Sequence, residues 1–169
     1  MVNLSGTTGL VDGVLTAERD YADLYRTVGP ALWRAIYAYS GGQRGIADDA
    51  VAEAFARAIQ HDAQIRQPHS WLYRTAFRIA AAELRRGRRH TEFEERAYEE
   101  PGEAAEVMAA LRKLRPTQRA AVYLHYRADL PIREVARLMG TSVAVVKVHL
   151  HRGRKHLREL LGTEEADDA

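Results

Sequence analysis

The sequence predicts an all-α protein: two small helical domains joined by an acidic linker. Three observations predict it. Apolar residues recur at steps of three and four through most of the 169 residues, and no alternating run suggests a strand. The period is interrupted over 88–103 by a charge-dominated stretch, RGRRHTEFEERAYEEPG with its flanks, closed by Pro101 and Gly102. The formal net charge is only +2, yet the charges are unevenly divided along the chain. Residues 1–87 hold ten basic and nine acidic side chains, and residues 88–103 hold three Arg against six Glu. Residues 104–161 hold twelve basic against four acidic, and the last eight residues add four acids and no base. The near-neutral total therefore conceals a basic block, which is a nucleic-acid cue.

The elements follow in order. Residues 1–16 are rich in Gly, Thr and Val without a period and read as a flexible N-terminal tail. The first domain spans 17–87. Its first helix starts near Glu18, with Tyr21, Leu24, Tyr25, Val28, Leu32, Ala35, Ile36 and Tyr39 as its stripe. Gly29-Pro30 is expected to kink that helix rather than end it, because the stripe resumes in phase. Ser40-Gly41-Gly42 is a break. The second helix is expected from about Ala47-Asp48 to Gln60, with Val51, Phe55 and Ile59 on one face. Residues 61–69 read as loop, and a third helix is expected over 70–86 with Ser70 as its N-cap.

Residues 88–103 are the linker and 104–161 the second domain. There the stripe is Val107, Met108, Leu111 and Leu114, and Pro116 marks a new helix start. A short helix is expected over 132–139. Gly140 suits the left-handed residue of a tight turn, and Ser142 opens a long helix reaching Leu161. Residues 162–169 form an acidic flexible tail.

The end of the chain carries the most specific pattern. PIREVARLMGTSVAVVKVHLHRGRKHLREL has the layout of a helix-turn-helix: a short helix, a glycine turn and a longer helix. Val143, Val146, Leu150 and Leu157 share one face of the long helix. The opposite face presents Val145, Val148, His149, Arg152, Lys155 and His156, where cations suit phosphates and guanine edges and Val148 suits a thymine methyl.

The third helix carries the second cue. With Arg74 at 0°, Arg78 falls at about 40° and Arg85 at about 20°, one basic stripe opposite Leu72, Ala76, Ile79 and Ala80. Arg86 extends that charge. Trp71, Tyr73 and Phe77 lie between the faces, where aromatic rings stack on unpaired bases or fill a core. Glu83 falls within the apolar face without an evident partner.

Other classes are poorly supported. The absence of cysteine removes disulfide frameworks, thiol catalysis and cysteine-ligated zinc. No apolar run approaches the roughly 20 residues that span a bilayer, and no signal-peptide pattern opens the chain. His149 and His151 diverge by about 200° on a helix, which does not suit a shared metal. No phosphate-cradling glycine motif and no GxSxG is present. Neither a catalytic residue nor a metal or other cofactor is expected, and a cytoplasmic location without membrane contact is.

Together these segments resemble the extracytoplasmic-function (ECF, group IV) sigma factors of the sigma-70 family, over about residues 18–161. The resemblance rests on YADLYRTVGPALWR, ADDAVAEAFARAI and SWLYRTAFRIAAAELRRGRR in the first domain. In the second it rests on LRKLRPTQRAAVYLHYRADLPIREVARLMGTSVAVVKVHLHRGRKHLREL. It implies a non-catalytic initiation subunit that binds core RNA polymerase, through the clamp helices and flap of the large subunits, and recognises promoter DNA. Sigma domain 2 would meet the clamp helices through Asp49, Glu53 and Arg57. It would read the −10 element as single strand with His61, Gln64, Arg66, Trp71, Arg74, Phe77, Arg78, Arg85 and Arg86, a flipped base being held by the loop at 61–69. Sigma domain 4 would read the double-stranded −35 element with Ser142, Val145, Lys147, Val148, His149, Arg152 and Lys155.

The chain departs from the family's pattern at Ala52 (often glutamine), Arg78 (asparagine), Ala82 (aspartate), Val145 and Val148 (small polar residues) and His149 (arginine). The family's base preferences are therefore not carried over to this chain. Many relatives are held inactive by an anti-sigma factor, which makes such a protein a candidate partner. The alternative reading is a stand-alone helix-turn-helix regulator binding an operator, whose first domain would need a ligand pocket or a dimer seam.

Overall fold

The computed structural model describes residues 19–87 and 103–162, and among these every regular element is helical. The expected N-terminal tail and nearly all of the expected acidic linker and acidic end lie outside those residues. The helices are α1 Tyr21–Tyr39, α2 Arg44–Gln60, α3 Pro68–Gly87, α4 Glu103–Arg112, α5 Pro116–Val122, α6 Ile132–Met139 and α7 Val143–Leu161. A 3₁₀ turn, Asp62–Gln64, lies between α2 and α3, and a π-helical turn, Tyr123–Arg127, follows α5.

The first group is α1 to α3. Asp20 caps α1 by accepting from the Asp23 amide, and Pro30 sits inside the helix without ending it. Two starts differ from expectation. α2 begins at Arg44, one turn before the acids, with Gln43 as an N-cap whose side chain makes no capping bond and donates instead to the Ser40 carbonyl at 3.2 Å. α3 begins at Pro68, so Ser70 lies inside the first turn and is buried rather than capping. Proline at a first helical position gives up an amide that has no intrahelical partner there, so it costs nothing.

The buried face of α2 is a row of alanines, Ala47, Ala50, Ala54 and Ala58, flanked by Val51 and Phe55. Ile59, expected on that face, is 58% exposed. Both rows turn about 40° with each step of four, but the alanines stay within about 60° of Ala47, whereas the Val51-Phe55-Ile59 row runs from about 40° to about 120° away and leaves the face. The small row lets Leu32 and Ile36 of α1 and Leu72, Ala76 and Ala80 of α3 close on it, all with no measurable exposure.

In the second group Leu111, Leu114, Ala120, Ala121, Leu124, Val135, Ala136, Leu138, Val146 and Leu150 are buried. Val107, one turn before Leu111, is 40% exposed. The π-helical turn closes through the Ala128 amide on the Tyr123 carbonyl at 3.1 Å, and Asp129 follows with φ 52°. α6 ends at Gly140 with φ 67°; the Gly140 amide donates to Arg137 O at 3.3 Å and the Thr141 amide to Ala136 O at 2.9 Å. This is a Schellman motif, which needs the left-handed residue that glycine adopts freely. Ser142 then caps α7 by accepting from the Val145 amide at 3.2 Å.

The two groups are in contact, α1 on α5 and α3 on α6, and their cores are continuous. Tyr73 of α3 is buried beside Tyr123, and burial first, that neighbour second, push its hydroxyl up to about 12. Arg119 of α5 is 6% exposed and donates to the Arg112 carbonyl at 3.3 Å.

Candidate nucleic-acid interface

Three surfaces hold the residues singled out in the sequence. On α2, Asp49 is exposed, and Glu53 pairs with Arg57 at 2.6 Å in water-facing surroundings. The neighbouring Asp48 accepts from Trp33 Nε1 at 2.7 Å and faces Arg44 at 3.7 Å. The acids that present themselves outward are therefore Asp49 and, half-neutralised, Glu53.

The second surface joins the 61–67 segment to α3. His61, Gln64 and Arg66 are exposed, while Ile65 is buried and plugs the segment into the core. Turn bonds run from the Gln64 amide to His61 O at 2.9 Å and from the Ile65 amide to Asp62 O at 3.0 Å. Arg74, Arg78, Arg85 and Arg86 are exposed along α3, and Arg86 forms an ion pair with Glu83. That pair is the partner Glu83 lacked in the sequence. Trp71 is half-buried. Phe77 corrects an expectation: it is 8% exposed, with its ring edge-on to Tyr39 at 5.1 Å between centroids and tilted against Tyr73 at 6.4 Å. At about 300° from Arg74, which is 60° off the stripe, it still falls on the core side because the bulky α1 tyrosine reaches over it. Its faces are closed to a base.

The third surface is α7. Val145 and Val148 are 41% and 43% exposed, and Lys147, Arg152 and Lys155 are exposed with them. Val148 lies about 180° from Leu157 and 140° from Gly153, in the middle of the outward face. Lys147 lies to its side by about 100°. His149 and His156 are half-buried at the edge. Burial, then the adjacent Arg152, hold the His149 imidazole below its ordinary value, so at neutral pH it is an uncharged donor and acceptor.

The second and third surfaces meet. The aliphatic stem of Arg74 lies over Gly140, where a Cβ would stand 3.3 Å from Arg74 Cδ. Thus α3's arginine stripe abuts the turn that launches α7.

Sequence reasoning missed four positions. Gly153 is buried where α7 crosses α5, and a Cβ there would stand 2.8 Å from Val122 Cγ2. Arg112 and Arg119 read as members of a basic block but reach the other helix group. Arg19 binds Asp62 and Ile65, more than 40 residues away. A glycine inside a helical stripe is the one local signal among them. Among the described residues no cluster of His, Asp or Glu fits a metal ion, and no helix is long and apolar enough to cross a membrane.

The sequence matches two family patterns, Sigma-70 region 2 over residues 24–90 and Sigma-70, region 4 over 104–157. It is 29% identical to the ECF RNA polymerase sigma factor SigE of Mycolicibacterium smegmatis, over 93% of this chain and 67% of that protein. It is 30% identical to the ECF RNA polymerase sigma factor EcfG of Rhodopseudomonas palustris, over 82% of this chain and 83% of that one. The fold is similar to the sigma factor RpoE of Bartonella quintana, solved with the anti-sigma factor NepR. There the TM-score is 0.72 and the identity 22%, over 86% of this chain and 99% of that one. It is also similar to CnrH, solved with the cytosolic domain of CnrY, at a TM-score of 0.63 and 26% identity over 86% and 89% of the two chains.

Proposed function

Because this chain belongs to the extracytoplasmic-function sigma factors of the sigma-70 family, we propose that it binds core RNA polymerase and directs it to promoters. In this reading α2 docks on the clamp helices of the polymerase through Asp49, Glu53 and Arg57. The 61–67 segment and α3 take the separated strand of the −10 element, with His61, Gln64, Arg66 and the arginines at 74, 78, 85 and 86 facing it. Phosphates pair with the guanidinium groups, and Trp71 steadies the start of α3. The outward face of α7 enters the major groove of the −35 element, with Ser142 and the α7 N-terminus near phosphate and Val145, Val148, His149, Arg152 and Lys155 over base edges.

The observation that carries the reading is the presence of two arginine-bearing surfaces, one on α3 and one on the second helix of a helix-turn-helix, on a chain with both sigma regions. A stand-alone operator-binding regulator leaves the first surface without a task. The chain does no covalent chemistry in this scheme; the polymerase carries the active site. A cytoplasmic location follows from that partner. An anti-sigma factor is the further partner implied, since CnrH, a 26% identical structure, was solved with a bound protein domain.

The test is transcription by purified core polymerase with and without the chain on genomic promoter fragments. Specific initiation is expected only with the chain, together with co-purification of chain and core. Initiation independent of the chain, with no co-purification, overturns the reading.

A further inference from the structure

The 61–67 segment is held from outside by two residues that precede or open α1. Arg19 forks across it: Nη1 pairs with the Asp62 carboxylate, and Nη2 donates to the Ile65 carbonyl at 3.0 Å. The Tyr21 hydroxyl lies 2.6 Å from Asp62 Oδ1 and 2.8 Å from the Ala58 carbonyl, sharing its proton between them, and accepts from Arg19 Nη1 at 3.3 Å. The side chains of Arg19 and Asp62 are 28% and 35% exposed, so the pair is partly shielded from solvent. One guanidinium thus spans the segment's acid and its last turn carbonyl, while Ile65 is anchored below. What this brace leaves outside is His61, Gln64 and Arg66.

We propose that Arg19 and Tyr21 are positioning residues for base discrimination: they pre-order the 61–67 segment so that His61, Gln64 and Arg66 converge on one unstacked base of single-stranded DNA. The proposal rests on the −10 reading above. Capturing a single base requires several donors to be held together before it arrives, because ordering a free segment at binding subtracts from affinity. A lone surface ion pair contributes little. Here the fork, the hydroxyl and the buried isoleucine act on the same short segment, at Asp62 and Ile65, so removing the fork frees the segment while the rest of the three-helix group stays packed. Lysine's three donors sit on one nitrogen at the end of a flexible stem, so it lacks the rigid fork whose two separate nitrogens reach the carboxylate and the carbonyl here.

The experiment uses holoenzyme reconstituted with the full chain and a single-stranded oligonucleotide recovered by selection with the wild-type holoenzyme. Each base is removed in turn to leave an abasic site, and binding is measured by fluorescence anisotropy. Wild type is expected to show one position where the lesion weakens binding by about tenfold or more, the scale of one stacked base. In Arg19→Ala that penalty falls below roughly threefold, the range left by non-specific backbone contact. Arg19→Lys behaves as Arg19→Ala, Tyr21→Phe falls between, and −35 duplex binding and core binding hold at wild-type levels. Should Arg19→Ala fail to fold by circular dichroism, Tyr21→Phe, which removes one oxygen, decides the matter. A tenfold penalty retained in the folded variants overturns the brace. Absence of any such position in wild type overturns the −10 reading itself.

Discussion

Arg112 of α4 donates its Nε–H to the carbonyl of Gly41, 2.9 Å away and 71 residues back along the chain. Gly41 lies in the turn just after α1, a helix with no basic residue of its own in its last turn. The partial negative charge of the α1 C-terminus is therefore met by guanidinium groups from the other helix group. Arg119 lies beside the same turn, its charge disfavoured by burial and partly compensated by Tyr39. The turn accepts them because Gly41 and Gly42 have φ of 77° and 88° and no Cβ. A Cβ would stand 2.6 Å from Arg119 at the first and 2.8 Å from Arg112 at the second.

Docking of the two groups is expected to weaken in Arg112→Ala by about 1.5–3 kcal/mol, the usual worth of a hydrogen bond to a charged group, discounted toward the lower end because Arg112 is half-exposed. Gly41→Ala, strained and crowded, should do the same. Energy transfer between dyes on Gln60 and Lys155 measures it: efficiency falls while helical content is kept. Unchanged efficiency in both variants would refute the role of this contact.

DNA on α3 should compete with that docking, because the stem of Arg74 is laid on Gly140. Adding the selected single strand to the labelled chain is expected to lower transfer efficiency, and Arg74→Ala to blunt the response. A response of equal size in Arg74→Ala would show that the seam is not what the strand displaces.

Gly153→Ala is expected to destabilise the second group despite the better helix propensity of alanine. The gain is up to about 1 kcal/mol, whereas crowding the β-branched Val122 at 2.8 Å costs about 1–3 kcal/mol. A thermal melt of the variant should shift downward; an upward shift contradicts the close crossing of α5 and α7.

Val148 is expected to contribute thymine recognition. Replacing thymine by deoxyuridine in the selected −35 duplex removes only the C5 methyl, and this should weaken wild-type binding at one position. The same substitution should be silent for Val148→Ala. A double-mutant cycle with zero coupling at every thymine would exclude the contact.

Arg78→Ala should impair strand opening more than −35 duplex binding, since Arg78 is exposed on α3 and remote in sequence from α7. Losing one phosphate contact to single-stranded DNA should also flatten the log affinity against log salt plot by about 0.7. Equal loss in opening and duplex binding would remove Arg78 from the −10 surface.

His149 sets an acid limit on the second group. Its folded value lies below the ordinary value of about 6.5, so the unfolded chain binds the proton more readily. Stability is full above about pH 6.5 and declines as pH falls from there toward the folded value. The His149 ring protons, followed by NMR, should titrate with a midpoint below 6.5, and His149→Gln should lessen the acid loss of melting temperature. A midpoint at or above 6.5 would reverse the sign.

Much of this protein was legible residue by residue. The in-phase stripe across Gly29-Pro30, the proline at 116, the left-handed Gly140 and the cap at Ser142 are local features, and each acts where local spacing puts it. The arginine stripe on α3 and the outward valines of α7 follow from helical angles alone. The misjudged positions are of another kind. Ile59 left the core because a row of alanines centred the face. Phe77 entered it because Tyr39 covers its ring.

The sequence by itself determined the helices, their order, the division of charge and the family, because periodicity, caps and turn residues act within a few positions of one another. Tertiary structure alone decided which arginines are available to nucleic acid. Arg74, Arg78 and Arg85 point outward, whereas Arg19, Arg112 and Arg119, identical in chemistry, are spent on Asp62, Ile65, Gly41 and Arg112's own carbonyl. A guanidinium's partners lie 43 to 71 residues away in three of these contacts, and its reach depends on how the helices close on one another, which no local pattern encodes.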